Sequence, residues 1–175
     1  PVGGRHNDFL VNSEIHSYFL SKIFLNMPQT KDEVNFLKNK LNFKNTIYFP
    51  NFRINNFIPK IEFSNIKTLK LCFFARVTPE KGIDYIFSLS KYLNKINISN
   101  VLIDLYGPID EDYRDDFKKK IDYHNIVNYK GVINPSSTLK TISKYDVMLL
   151  PTRYPGEGFP GTILESYISG VPVIS

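Results

Sequence analysis

The sequence predicts an α/β protein built on a doubly wound parallel sheet. Three observations carry that reading. Short apolar runs recur along the C-terminal two thirds, LKLCFFA (69–75), VLIDLY (101–106) and VMLL (147–150), each the length of a buried strand. Between them lie segments with a helical apolar period or a helix-start signal, and strands alternating with helices mean parallel strands joined by crossovers. The last stretch, Asp146 to Ser175, holds a whole βαβ unit: the strand Val147–Leu150, a loop with three glycines and three prolines, the amphipathic segment Thr162–Ser169, the stop Gly170 with Pro172, and the run Val171–Ile174.

Taken in order, Asn12–Leu20 reads as a short helix and Lys22–Met27 as a strand. Thr30 is placed to N-cap a helix running through Leu41, with Glu33 three positions on completing a capping box. Ile47–Phe49 reads as a short strand closed by Pro50-Asn51. Phe52–Lys67, with Pro59, scattered Asn and no helical period, reads as a linker. After the strand at 69–75, Thr78 caps a helix with Pro79 in its favoured first position, and Ile83, Ile86, Phe87, Leu89, Ser90 and Leu93 form its apolar face. A charged helix is expected from Asp110 to Tyr123, a short strand over Ile126–Tyr129, and a helix ending over Leu139–Tyr145. The domain limits that follow are 1–52, a linker over 53–67, and 68–175.

Composition sets outer bounds. At 175 residues, 42% hydrophobic and 22% charged, the chain has enough apolar material for a real core. A net charge of +5 favours anionic partners: nucleotides, phosphates, nucleic acid or an anionic membrane surface. The single cysteine, Cys72, has no internal partner and falls in an apolar run, as in a reduced, cytosolic protein. No apolar run approaches the ~18 residues of a membrane span, and no signal peptide stands at the start. The chain begins at Pro1 and stops inside an apolar run, so both ends read as cut. His6 reads as a loop residue, His16 and His124 as surface residues, and none has a nucleophile partner.

The chemistry gathers at the C-terminal ends of strands, which in such a sheet open onto one edge. Arg76 and Lys81 follow the strand at 69–75; Glu157 lies in the Gly-rich loop after the strand at 147–150; Glu165, eight positions on, sits in the next helix. Two cations suit a diphosphate, and two carboxylates suit ribose and sugar hydroxyls. The helix start supplies unpaired N–H groups for a phosphate. The bland alternatives are solvated surface charges and a carboxylate that merely complements the helix dipole.

With those residues in view, the chain resembles the retaining GT-B-fold glycosyltransferases of family 4, the glycosyl transferases group 1. The resemblance rests on FFARVTPEKGID (73–84) and EGFPGTILESYISGVPVIS (157–175), the latter with the paired glutamates Glu157 and Glu165. YFPNF (48–52) looks like the crossing from an acceptor-side to a donor-side domain. VGGRHNDFL and PQTKDEV look like members that assemble bacterial surface polysaccharides, including lipopolysaccharide and capsule. The resemblance implies two Rossmann-like domains, of which the chain would hold the end of the first and most of the second. Such a piece is expected to be inactive alone.

It also implies roles. Arg76 and Lys81 would hold the donor diphosphate, Glu165 the ribose, and Glu157 the donor sugar as the catalytic residue. Gly161 and Thr162 would offer backbone N–H groups, and Gly107 and Val132 would contact the base. The partners would be a UDP-, GDP- or ADP-sugar and a saccharide or lipid-linked acceptor. Peripheral contact with an anionic membrane fits, nucleic acid does not, and neither a metal nor another cofactor is expected. The setting would be cytoplasmic, at the inner membrane. One departure stands out: many members read EGFG where this chain has EGFP, and Pro160 has no N–H to donate.

Rival readings are a glycoside hydrolase using the two glutamates, a nucleic-acid-binding module, and a nucleotide-sugar epimerase of the same fold. The first leaves Arg76 and Lys81 without a task. The second needs a basic stripe, whereas Lys118–Lys120 stand among Asp115, Asp116 and Asp122.

Overall fold

A computed structural model of the chain describes residues 18, 19, 21–54, 56–59, 67–154 and 157–175. The chain divides into two compact units, residues 1–52 with 154–161 and residues 53–153 with 162–175.

In the second unit, the apolar runs pair into a parallel sheet of β1 (Leu69–Phe74), β2 (Val101–Tyr106), β3 (Val127–Gly131), β4 (Val147–Leu149) and β5 (Val173–Ile174), in the order β3-β2-β1-β4-β5. Side chains alternate across a strand, so β1 serves two cores at once. Leu71 and Phe73 pack with Ile83, Ile86, Phe87 and Phe117 on one face, while Cys72 and Phe74 pack with Ile142, Met148 and Val171 on the other. Cys72 and Phe73 are fully buried. A side chain like Phe73 contributes roughly 1.5–3 kcal/mol by leaving water, which is why β1 reads as an unbroken apolar run. The doubly wound sheet is therefore present as expected.

The helices are shorter than their sequence signals. Thr78 caps as predicted, its Oγ1 accepting the Lys81 N–H at 3.3 Å, but Pro79–Lys81 forms only a 3₁₀ turn. Gly82, at φ 81°, then redirects the chain into helix α2 (Ile83–Lys95); helix α1 (Lys31–Asn39) belongs to the first unit. The charged segment likewise begins as a 3₁₀ turn, Glu111–Tyr113, capped by Asp110, and continues as α3 (Arg114–Ile121). Helix α4 spans Thr138–Ile142 and stops short of Tyr145. Helix α5 spans Gly161–Ile168. Gly170, at φ 74°, ends it, with the Val171 N–H bonded to the Ser166 carbonyl at 2.9 Å.

One polar chain crosses the second face. The Tyr145 hydroxyl donates to Asp104 Oδ2 at 2.7 Å and lies 2.7 Å from the Tyr106 hydroxyl, while Asn128 donates to Asp104 Oδ1 at 3.0 Å. Burial, then these hydrogen bonds, push the Tyr145 phenol well above its ordinary range. His124 corrects the surface reading. It is 4% exposed and stacks on Phe87 with ring centroids 4.6 Å apart, and its Nδ1 has no hydrogen-bond partner among the described residues. Burial, and secondarily the Lys91 charge, lower its pKa from the ordinary 6.5.

In the first unit, α1 (Lys31–Asn39) opens on the predicted capping box: Thr30 Oγ1 accepts the Glu33 N–H at 3.2 Å and Glu33 Oε2 accepts the Thr30 N–H at 3.1 Å. It ends before Leu41, and Asn42 takes φ 55°. The strands expected at Lys22–Met27 and Ile47–Phe49 shrink to one parallel bridge, Asn26 with Thr46, flanked by hydrogen bonds from Ile47 to Asn26 and from Phe49 to Pro28. Ile47, Tyr48 and Phe49 are exposed, so no buried face draws them into a longer ladder. Of the helix expected over Asn12–Leu20, Tyr18 and Phe19 are helical and the rest lies outside the described residues, as do His6, His16 and the VGGRHNDFL motif. The linker residues 53, 54 and 56–59 carry neither helix nor strand.

Candidate functional site

The sheet order fixes where a ligand would sit. From β1 the chain crosses through α2 to β2 on one side; from β4 it crosses through α5 to β5 on the other. β1 and β4 are neighbours, so the direction of winding reverses between them, and the crevice outside their C-terminal ends is where sheets of this kind take ligands.

The rim after β1 is held by pairing that outlasts the strand. Ala75 donates to the Tyr106 carbonyl at 3.2 Å, Val77 to the Pro108 carbonyl at 2.8 Å, and Asp110 to the Val77 carbonyl at 3.2 Å. Arg76 is fixed between these bonds with its side chain exposed, its nearest carboxylate being Asp110 at 4.0 Å. Lys81 closes the 3₁₀ turn. That turn is braced against the loop after β4. The Arg153 N–H donates to the Glu80 carbonyl at 2.7 Å, its guanidinium donates to the Pro79 carbonyl at 3.1 Å, and the same group stacks on Tyr85 at 4.8 Å. Gly82 meets Pro151 so closely that an added Cβ would stand 1.9 Å from its carbonyl oxygen. Thus the loops after β1 and β4 form one rim. Arg153 carries no signal in the sequence, because its partners are carbonyls that any residue would supply.

Glu165 sits in α5 and is 21% exposed at its side chain. Its Oε1 accepts from Arg53 Nε at 3.0 Å, a partner that sequence reasoning missed because 112 positions separate the two. A carboxylate offers about four lone-pair sites, so one arginine leaves capacity for hydroxyl donors. Thr162 lies in the first turn of the same helix. Gly107 has a backbone reason to be glycine: it takes φ 132°, and a Cβ there would lie 2.0 Å from the Ala75 carbonyl oxygen. Its N–H is engaged by the Gly131 carbonyl at 3.0 Å and its own carbonyl by the Tyr129 hydroxyl at 2.8 Å. Val132 is exposed just past β3.

Glu157 and Gly161 group with the first unit. The Glu157 N–H donates to the Tyr154 carbonyl at 3.1 Å. Phe159 is held on both sides: its N–H donates to Gln29 Oε1 at 3.2 Å, and its carbonyl accepts from Asn51 Nδ2 at 3.0 Å. Among the described residues no group of three or more His, Cys, Asp or Glu is placed to hold a metal ion. No helix among them is long and apolar enough to cross a membrane. Lys120, the last lysine of its run, is paired, 2.8 Å from Asp116 and 3.2 Å from Asp84; these bonds, Asp116 first, raise its pKa.

Comparison with known proteins agrees with the fold. The family model described as Glycosyl transferases group 1 matches residues 55–175. Staphylococcus aureus TarM, solved with UDP and alpha-GlcNAc-glycerol, is 22% identical with a TM-score of 0.69, over 87% of this chain and 29% of its own. Anabaena HepE, solved with UDP-glucose, is 16% identical with a TM-score of 0.70, over 99% of this chain and 50% of its own. The pneumococcal O-GlcNAc transferase GtfA, solved with UDP and GlcNAc, is 19% identical with a TM-score of 0.65, over 91% and 31%. At these identities the likeness speaks for the fold. The chain spans at most half the length of these structures. No curated protein matches it.

Proposed function

Because this chain belongs to the glycosyl transferases group 1, we propose that it serves an enzyme moving a sugar from a nucleotide-sugar donor to a polysaccharide or lipid-linked oligosaccharide, with retention at the anomeric carbon. The observation that carries the reading is the winding reversal between β1 and β4, with Arg76 and Lys81 on the loop after β1 and α5 following β4. Solved relatives of the same fold that hold UDP or UDP-glucose support a nucleoside diphosphate as the anchoring group.

The residues then divide the work. Negative charge grows on the diphosphate as it leaves the sugar, and the fixed cations Arg76 and Lys81 stabilise it without reorganising. Glu165, steadied by Arg53, takes the ribose hydroxyls. Glu157 orients the donor sugar and offsets positive charge at the anomeric carbon, while the acceptor attacks from the leaving-group side. Gly161 and Thr162 offer N–H groups, because the Phe159 N–H is engaged by Gln29 and Pro160 has none. Val132 and Gly107 border the base. No metal is needed, since the two cations supply the charge. An acceptor-side domain ending at residue 52, a linker over 53–67 and a donor domain from residue 68 complete the reading, as does a site of action on the cytoplasmic face of a membrane, favoured by the +5 charge.

Calorimetric titration of the intact protein with UDP, GDP and ADP tests this. One nucleotide should bind, and Arg76→Ala, Lys81→Ala and Glu165→Ala should each weaken it, by about tenfold for a lost charge-assisted hydrogen bond. Binding indifferent to all three changes would return the hydrolase and nucleic-acid readings to contention.

A further inference from the structure

We propose that Gln29 and Asn51 are positioning residues for the Glu157 loop, which they hold by gripping both backbone polar groups of Phe159. The proposal rests on the transferase reading, in which Glu157 meets the donor sugar. Three observations support it. First, the two amides use opposite halves of their chemistry: Gln29 accepts through Oε1 from the Phe159 N–H at 3.2 Å, and Asn51 donates through Nδ2 to the Phe159 carbonyl at 3.0 Å. Second, Gln29 is itself fixed in place. It directly precedes the Thr30 cap of α1, and its own N–H donates to Glu33 Oε2 at 3.2 Å, so the capping box also steadies the clamp. Third, Gly158 leaves the room: a Cβ at that position would come within 3.0 Å of Gln29 Oε1.

The arrangement answers a need that this sequence creates. Gly158, next to Phe159, has many backbone states to lose on ordering, and Pro160 removes one N–H that could have tied this segment down. Two side-chain amides reaching across 130 and 108 positions restrain it instead. Glu157 is only two residues from the gripped peptide, so its orientation depends on that grip.

The test reads loop order and chemistry separately in the intact protein. Amide hydrogen exchange at Phe159 reports the clamp, release of nucleoside diphosphate from UDP-glucose, GDP-mannose or ADP-glucose reports chemistry, and titration with UDP, GDP and ADP reports the diphosphate contacts. Gln29→Ala and Asn51→Asp should each speed exchange at Phe159 and slow release by about three- to tenfold, the effect of one lost hydrogen bond. Nucleoside diphosphate affinity should stay within about twofold, because the lost contact acts on the sugar end. Gln29→Glu keeps an acceptor at position 29 and should preserve the protection, whereas Asn51→Asp, equally close in shape, puts an acceptor against a carbonyl and should not. Unchanged protection at Phe159 in Gln29→Ala would overturn the clamp. A loosened loop with undiminished release, or a parallel loss of nucleotide affinity, would overturn the positioning role. If the unmodified protein bound no nucleotide and released none, the transferase reading would fall, and exchange at Phe159 would still judge the clamp.

Discussion

Alanine at Gly82 probes how firmly the two rim loops are joined, and Gly131 supplies its control. Both glycines take nearly the same left-handed conformation, φ 81° and φ 78°. They differ in their surroundings. A Cβ at Gly131 meets nothing within 4 Å, whereas one at Gly82 would stand 1.9 Å from the Pro151 oxygen and 2.7 Å from its carbonyl carbon. Gly131→Ala should therefore cost only the backbone term, about 1–2 kcal/mol. Gly82→Ala carries that term and must also push Pro151 back by more than an ångström, which pulls Arg153 away from Glu80, Pro79 and Tyr85. Two hydrogen bonds at about 0.5–1.5 kcal/mol each and a cation–π contact of about 0.5–1 kcal/mol are at risk, so the expected loss, backbone term included, is up to ~2.5–6 kcal/mol. The chain has no tryptophan, so urea unfolding is best followed by circular dichroism, with the change read from the midpoint at constant slope. Equal losses at the two positions would refute the argument that the loops after β1 and β4 are packed into one rim.

Three further outcomes follow from features away from the rim. The folded-state pKa of His124 lies below 6.5, so the unfolded chain binds the proton first as pH falls; stability should be full above about pH 6.5 and decline below it by no more than ~1.4 kcal/mol per pH unit. His124→Phe keeps the stack on Phe87 and should remove that part of the decline between pH 7.5 and 5.5 in urea titrations. Tyr145→Phe strips Asp104 and Tyr106 of one shared partner and should lower stability by about 1–3 kcal/mol in thermal or urea unfolding. Cys72 is buried, which with the nearby Asp104 charge pushes its thiol pKa up; alkylation by iodoacetamide should be slow in the native protein and fast in urea, and rapid native labelling would contradict its place in the core.

Legibility from sequence followed the range of the forces involved. β2 was readable to the residue and β1 to within one, because strands buried on both faces must be apolar throughout. The caps at Thr30 and Thr78 were readable because a cap and the N–H that donates to it lie three positions apart. The break at Gly82 was not, since it answers to Pro151, a residue of another loop. His124 looked like a surface residue in a charged neighbourhood, and only the tertiary stack on Phe87 buries it. At the candidate site, the charged residues announced themselves by type and by following strand ends. Arg53, Arg153, Gln29 and Asn51 did not: each acts through a partner remote in sequence, and an amide gripping a peptide group leaves no pattern around it.

The central place of β1 also bears on the order in which the protein folds. β1 finds β2 about 30 positions away, but β4 only after a detour of about 76, through all of α2, β2, α3, β3 and α4. Closing the longer loop costs more chain entropy, so half of the sheet is expected to assemble before its other edge exists. The Asp146 N–H and carboxylate, bonded to the Lys70 carbonyl and N–H at 2.8 Å and 2.7 Å, then act as the latch at which β4 docks. In pulse-labelled hydrogen exchange, amides of β2 should gain protection before those of β5. The winding reversal between β1 and β4 would then be made late, after β1, β2 and β3 have already paired.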